Sequence, residues 1–197
     1  MDVMAQDLDR GGMASLLVNA VVPRPIAWVS TVDAEGRPNL APFSFFNVIC
    51  VEPPLLGFSP GLRAGQTKDT LRNVRATGEF VVNVVPHALA EAMNLSAGEY
   101  GPEVDEFALA RLATRPSRSV KPPQVAASPV AFECRLHQIL DFDTASLVIG
   151  RILCVHADDA VMEAGRIVPE RLDIVGRLGG ADYCTTRDRF ALARPRP

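Results

Sequence analysis

Two stretches of this chain, residues 130–142 and 145–157, each read as a long half-buried strand, and only Asp143 and Thr144 stand between them. A connection that short joins antiparallel neighbours, because parallel strands need a crossover of a dozen residues or more. The same pattern occurs earlier, where residues 26–32 and 37–46 flank Asp33-Ala34-Glu35-Gly36 and Gly36 supplies the positive φ of the turn. A doubly wound parallel sheet requires strands to alternate with helices, and both hairpins break that alternation.

Further strands are expected at 55–59, 79–85 and 175–183. Helices are expected at 13–22, at 68–76 with Thr67 as N-cap and Gly78 after the C-terminus, and at 87–96. Pro38 and Pro42 donate nothing to a ladder, which places their strand at an edge or a barrel rim. Segment 98–129 is rich in proline and polar residues and carries only short helical fragments, the mark of a covering insertion. A set of strands joined mostly by hairpins closes most economically into a small barrel, which removes exposed edges. The expected architecture is mainly β with flanking α, in a single domain over 1–197, with weakly ordered ends at 1–12 and 188–197.

At 197 residues and 48% hydrophobic content, the chain has enough apolar material for one core and for a face buried in an oligomer. No apolar run approaches the roughly 20 residues of a membrane-crossing helix. The net charge is −3 with no basic stripe, which argues against nucleic-acid binding. The first ten residues hold three Asp and one Arg and do not resemble a secretory leader. Cys50, Cys134, Cys154 and Cys184 form no CxxC and match no zinc spacing, so reduced, buried thiols in a cytoplasmic protein are expected.

Three polar clusters sit at expected strand ends. These are Ser30-Thr31, then Ser44 to Asn47 on a ribbon that also carries Asn39, and then Ser59-Pro60 followed by Lys68-Asp69-Thr70 at a helix start. Hydroxyls, amides and free N–H groups in such places suit a ligand with a phosphate and a polar ring edge. The Lys68 helix start, with Arg63 in the loop before it, is a reasonable seat for one phosphate. Its plain alternative is a helix capped by Thr67 with Lys68 in solvent. Ser44 and Asn47 either face a ligand or satisfy strand-end backbone. Trp28, Phe43, Phe45, Phe46 and Phe58 supply either core or an apolar floor for a flat ring, and periodicity does not choose between them.

Near the C-terminus, Gly179-Gly180 between Arg177 and Tyr183 permits close backbone approach or makes a plain turn. His156 ends a strand as a rim residue. Neither GxGxxG nor GxxxxGK[ST] occurs, so a nucleotide site here is neither Rossmann nor P-loop. No triad, paired carboxylates or HExxH is readable, which fits chemistry carried by a bound cofactor.

The segments PRPIAWVSTVDAEGRPNLAPFSFFN, EPPLLGFSP, KDTLRNVRATGEFVVNVV and GRLGGADY, in that order, resemble the flavin reductase-like FMN-binding split-barrel family. The branch is the one that includes the reductase component of nitrilotriacetate monooxygenase. The resemblance spans residues 16–183. It implies a six-stranded Greek-key split barrel that forms a homodimer with FMN at the interface. It assigns Trp28, Val29, Ser30, Thr31, Ala41, Pro42, Phe43, Ser44 and Asn47 to the flavin ring and ribityl chain. Ser59, Lys68, Asp69 and Thr70 go to the phosphate end, and Arg177 and Tyr183 approach late in the chain, from this subunit or its partner.

The implied reaction takes hydride from NADH or NADPH to flavin N5, with no catalytic side chain and no metal. Reduced flavin then either leaves, to feed a partner monooxygenase, or passes electrons to an acceptor in place. The alternatives are an oxidoreductase that retains FMN and acts on another small substrate, and a non-catalytic flavin-binding protein whose 98–129 segment blocks the nicotinamide.

Overall fold

The structure is a computed structural model and describes residues 1–62 and 65–195. Arg63 of the expected phosphate seat lies outside the described residues, as does the end of the C-terminal Arg-Pro run.

One antiparallel sheet of seven strands organises the chain. The strands are β1 (Ala27–Val32), β2 (Pro38–Phe43), β3 (Phe46–Cys50), β4 (Leu55–Phe58), β5 (Glu79–Asn83), β6 (Val130–Asp141) and β7 (Ser146–Ala157). Their order across the sheet is β2-β1-β5-β6-β7-β4-β3. The resemblance implies six strands. The seventh arises because the expected 37–46 strand divides at Ser44-Phe45 into β2 and β3, which sit at opposite edges of the sheet.

That division shapes the fold. The two edge strands are separated by two residues, so the ends of the sheet lie within a few residue lengths of each other. A sheet of seven strands satisfies this only by curling on itself, leaving a seam where β2 passes into β3. At the seam the Ser59 N–H donates to the Phe45 carbonyl at 2.8 Å. The packing agrees, since Ala27, Val29, Phe43, Leu56, Phe58, Phe80, Val82, Cys134 and Val148 form one buried cluster. Six of the seven strands send a side chain into it, and Phe46 of β3 packs against it. The architecture is a mainly β split barrel.

The β6–β7 hairpin follows the sequence closely, with Ser146 opposite Asp141 and Ala157 opposite Val130. Register shifts fall at Ile149/Gly150 and Ile152/Cys154. Gly150 lies directly beneath the Phe80 ring, where a Cβ would collide with the aromatic carbons. The bulge and the missing side chain together let the strand bend around that ring.

Helix α1 (Arg10–Ala20) starts three residues before the expected position, so part of the segment read as a weakly ordered end is helical. Gly11 and Gly12 disfavour it, but Asp9 caps it by accepting from the Gly12 N–H at 2.7 Å. None of its residues is buried. Helix α2 (Asp69–Thr77) adds Leu71 and Val74 to the barrel cluster and ends at Gly78 with φ +70. The expected 87–96 helix is a 3-10 turn, His87–Leu89, followed by α3 (Ala90–Leu95).

The insertion contains the short helix α4 (Glu106–Leu109) and a two-strand ladder, Thr114–Arg115 with Gln124–Val125. It covers the outer face of β1. All six β1 residues are buried; Ala27 and Val29 face the barrel cluster, while Trp28 joins a second one with Leu40, Val85, Met93, Phe107, Val125 and Val175. The expected 175–183 strand is a hairpin of Val175–Arg177 and Tyr183–Thr185 that pairs with Arg24–Pro25 in a separate three-stranded sheet.

Of the four free thiols only Cys134 is buried, and the other three are half-buried. Burial, followed by the adjacent Glu133 charge, pushes the Cys134 thiol far above its usual range. No helix among the described residues is long and apolar enough to cross a membrane.

Candidate functional site

The cleft that gathers the largest share of the expected site residues has a volume of about 560 Å³. It lies where α2 begins against β2, below residues 96–102, and its lining includes Asn39, Ala41, Pro42, Lys68, Asp69, Thr70 and Glu106. That volume is within the range of small-molecule sites, about 300–1,000 Å³.

Helix α2 opens this cleft. Its N-cap is Lys68, not Thr67, and no side-chain hydrogen bond caps it. The first-turn N–H groups and the positive end of the helix dipole are therefore available to an anion. Lys68 adds a full charge, its Nζ lying 5.5 Å from the centre of the Phe43 ring. Asp69 is paired with Arg72 one turn along the helix. Two buried amide–hydroxyl bonds fix α2 to the sheet: Asn39 Nδ2 donates to Thr70 Oγ1 at 3.1 Å, and Asn73 Nδ2 donates to Thr31 Oγ1 at 3.1 Å. Thr31 and Thr70 thus help position the helix.

A second group forms at the seam. Arg24, 7% exposed, donates through Nη1 to the carbonyls of Val18 and Val21 at 2.6 and 2.7 Å, and through Nη2 to Leu178 at 2.8 Å. Its Nε reaches Ser44 Oγ at 3.4 Å. Burial, then the neighbouring Arg177 charge, lowers the Arg24 pKa. Arg177 donates to the Tyr183 hydroxyl and to the Gly180 carbonyl, and its guanidinium stacks 4.5 Å from the Tyr183 ring centre. Tyr183 in turn donates to Asn94 Oδ1 at 3.1 Å. Ser44, Arg177 and Tyr183 are thus brought together, apart from the α2 cleft.

The remaining expected residues fall elsewhere. Trp28 is fully buried, and its Nε1 donates to Ser96 Oγ at 2.9 Å, so its side chain is core. Val29 and Phe43 lie in the barrel cluster. Ser30 is buried and donates to the Pro123 carbonyl, fastening the insertion. Asn47 is exposed on edge strand β3 and accepts from the Val48 N–H at 2.8 Å. Ser59 is half-buried at the seam.

The second half of the insertion is held by side chains of the sheet. Glu133, 1% exposed, accepts from the Arg118 N–H at 2.9 Å, from the Ser119 N–H and from Gln124 Nε2 at 2.8 Å. Asn83 Oδ1 accepts from the Val125 N–H, and Glu79 from the Lys121 N–H, each at 2.9 Å. It is residues 96–102, in and before the first half, that border the cleft.

Sequence reasoning missed Arg24, Asn73, Asn94 and Glu106. An arginine between two prolines was a usable signal for Arg24. For the others only the tertiary contacts supply one.

The family of the flavin reductase like domain matches residues 19–169. The chain belongs to that family. The uncharacterised protein YwrF of Bacillus subtilis (strain 168) is 39% identical over 97% of each chain. Among solved structures, nitrilotriacetate monooxygenase component B from Bacillus cereus superposes with a TM-score of 0.93, at 33% identity over 98% of each chain. The 2-nitrobenzoate 2-nitroreductase NbaA of Pseudomonas fluorescens superposes with a TM-score of 0.90, at 32% identity over 99% of this chain and 96% of that one. Membership of this family places the chain among flavin-related oxidoreductases.

Proposed function

We propose that the protein is an NAD(P)H-dependent flavin reductase that uses FMN. The observation that carries this reading is the uncapped N-terminus of α2 beside Lys68, opening on a cleft of about 560 Å³ in a flavin reductase-like fold. The donor set fits a phosphomonoester: helix N–H groups, one ammonium and the Thr70 hydroxyl. FMN, when bound, supplies the hydride-accepting chemistry. This chain binds the phosphate end through Lys68 and the first turn of α2, and sets the path of the ligand along Ala41 and Pro42.

The cleft of one subunit holds only the Ala41, Pro42, Lys68, Asp69 and Thr70 part of the expected site. A second copy of the chain completes it in this reading. Phe45, Val48, Ile49 and Val51 on and beside β3, and Leu16 and Leu17 on α1 with Val21 at its C-terminal cap, are large apolar side chains exposed in the single chain. Such a surface calls for a partner, and the homodimer supplies one. The likeness to a monooxygenase component B supports transfer of reduced flavin to a partner oxygenase. The protein works in the cytoplasm in this reading.

A second reading has its own support. The near-equal likeness to a 2-nitroreductase favours retained FMN and a small organic acceptor. Anaerobic stopped-flow mixing with NADH or NADPH tests the first reading through bleaching of the flavin band. Bleaching no faster than that of free FMN rejects it. Gel filtration of the reduced protein separates the two readings, since co-elution of flavin with protein favours the retained form.

A further inference from the structure

Glu106 is a carboxyl the reductase reading does not use, and its placement gives it a task. It is 7% exposed yet lines the α2 cleft. Helix α4 holds it there from two sides. Asp105 caps the helix, accepting from the Phe107 and Ala108 N–H groups at 2.9 and 3.3 Å, and Phe107 is anchored in the outer apolar cluster. Glu106 Oε2 accepts from the Leu40 N–H at 3.0 Å, tying α4 to β2.

The ionisable groups around the cleft are Lys68, Asp69 and Arg72 at the start of α2, Glu99 and Tyr100 above, and Asp105 on α4 itself. Arg72 is engaged by Asp69. Asp69 and Asp105, both negative, are among the charges that bear on the Glu106 carboxyl. Burial first, then those two carboxylates, push Glu106 above the ordinary glutamate range, against the pull of the Leu40 N–H.

A phosphate and an ionised carboxylate are both hydrogen-bond acceptors only, so they repel each other across a small cleft. A protonated carboxyl is a donor. We propose that Glu106 is a binding residue of this cleft in its acid form, so that an anionic phosphomonoester entering the cleft takes up one proton from solvent at Glu106. This rests on the reading that places the FMN phosphate here, and it adds a pH-dependent selectivity to that site. Phosphate-bearing flavin is held progressively less well as Glu106 ionises, and riboflavin, which has no phosphate, does not sense the change.

The test is fluorescence titration of FMN and riboflavin with wild type, Glu106→Gln and Lys68→Ala between about pH 5 and pH 9, a span that brackets carboxyl titration in folded proteins. The second ionisation of the phosphate is common to all three proteins and cancels in ratios between them. The expected result is a wild-type to Glu106→Gln ratio of FMN Kd values that rises with pH. Its slope approaches tenfold per pH unit between the free and the ligand-bound values of Glu106, while the riboflavin ratio stays flat. A flat FMN ratio overturns the proposal.

Should Glu106→Gln not fold, calorimetry of FMN binding to wild type in two buffers of different ionisation enthalpy decides. It is done across about pH 5 to pH 9, the span of the titration, with the phosphate's own second ionisation, at about pH 6, subtracted. Net proton uptake beyond the phosphate's own within that span supports the role, and its absence throughout overturns it. Lys68→Ala separates the two layers. Equal loss of FMN and riboflavin removes the phosphate from this cleft and rejects the site reading itself. Selective loss of FMN together with a flat Glu106→Gln ratio rejects only the proton-coupled role.

Discussion

Trp28 donates its indole N–H to Ser96 Oγ at 2.9 Å, and the two residues are 0% and 2% exposed. This bond joins the outer face of β1 to the residue that follows α3. It removes the Trp28 side chain from the surface any ligand could reach within one subunit. Trp28→Phe is therefore expected to lower stability by about 1–3 kcal/mol, from the lost bond and the lost packing. FMN affinity is expected to change little. Urea unfolding together with flavin titration checks this, and a large loss of affinity in a stably folded variant would return Trp28 to the site.

Glu133 carries a different burden. Its carboxylate accepts from two backbone N–H groups and from Gln124, and it is nearly inaccessible. Glu133→Ala orphans these donors and is expected to cost about 3 kcal/mol. Hydrogen exchange at Arg118 and Ser119 should rise selectively. Unchanged protection at these two amides would mean that the insertion is held by its apolar contacts alone.

The surface carries an acid-sensitive contact. The Arg187 hydrogen bond first, helped by the Arg187 and His87 charges, holds the Asp173 carboxyl below the usual carboxylate range against the opposing effect of burial. Folding thus favours the ionised form. The stabilisation is present above the unfolded-state value and is lost as pH falls through the lowered folded value, below about pH 4. Asp173→Asn should remove this part of the acid dependence of the melting temperature and leave the neutral-pH slope unaltered. Identical acid profiles would dismiss the contact.

The exposed β3 edge makes the oligomer testable. Val48 is 65% exposed beside Ile49 and Val51. Val48→Asp is expected to shift the protein toward monomer in sedimentation velocity and to weaken flavin binding by tenfold or more if a second copy completes the site. A variant that remains dimeric would place the interface elsewhere, with α1 the next face to change.

Much of the barrel was legible in the sequence because hairpins are local. The short connections, Asp33 to Gly36 and Asp143-Thr144, demand antiparallel pairs, and the strands at Ala27–Val32, Val130–Asp141 and Ser146–Ala157 fall within a residue or so of the expected bounds 26–32, 130–142 and 145–157. The 37–46 stretch was misread as one strand. Its apolar pattern continues through Ser44-Phe45, and nothing local reveals that the chain crosses there from one edge of the sheet to the other. Thr67 was read as the cap of α2 on residue type alone, whereas the backbone places Lys68 in that position.

The sequence by itself determined a mainly β fold with Lys68, Asp69 and Thr70 at a helix start, since strand pairing and helix ends depend on neighbours along the chain. Tertiary structure alone decided which polar groups share a cavity. Leu40 and Glu106 lie 66 positions apart, and no periodicity links them. They meet because the insertion must bury Phe107 against the outer face of β1, and that burial carries the carboxyl to the edge of the cleft. The same packing took Trp28 into the core, while the place of Asn47 on an edge strand left it in solvent. The physical reason is that side-chain chemistry is local, while burial is a property of the closed sheet and of what covers it.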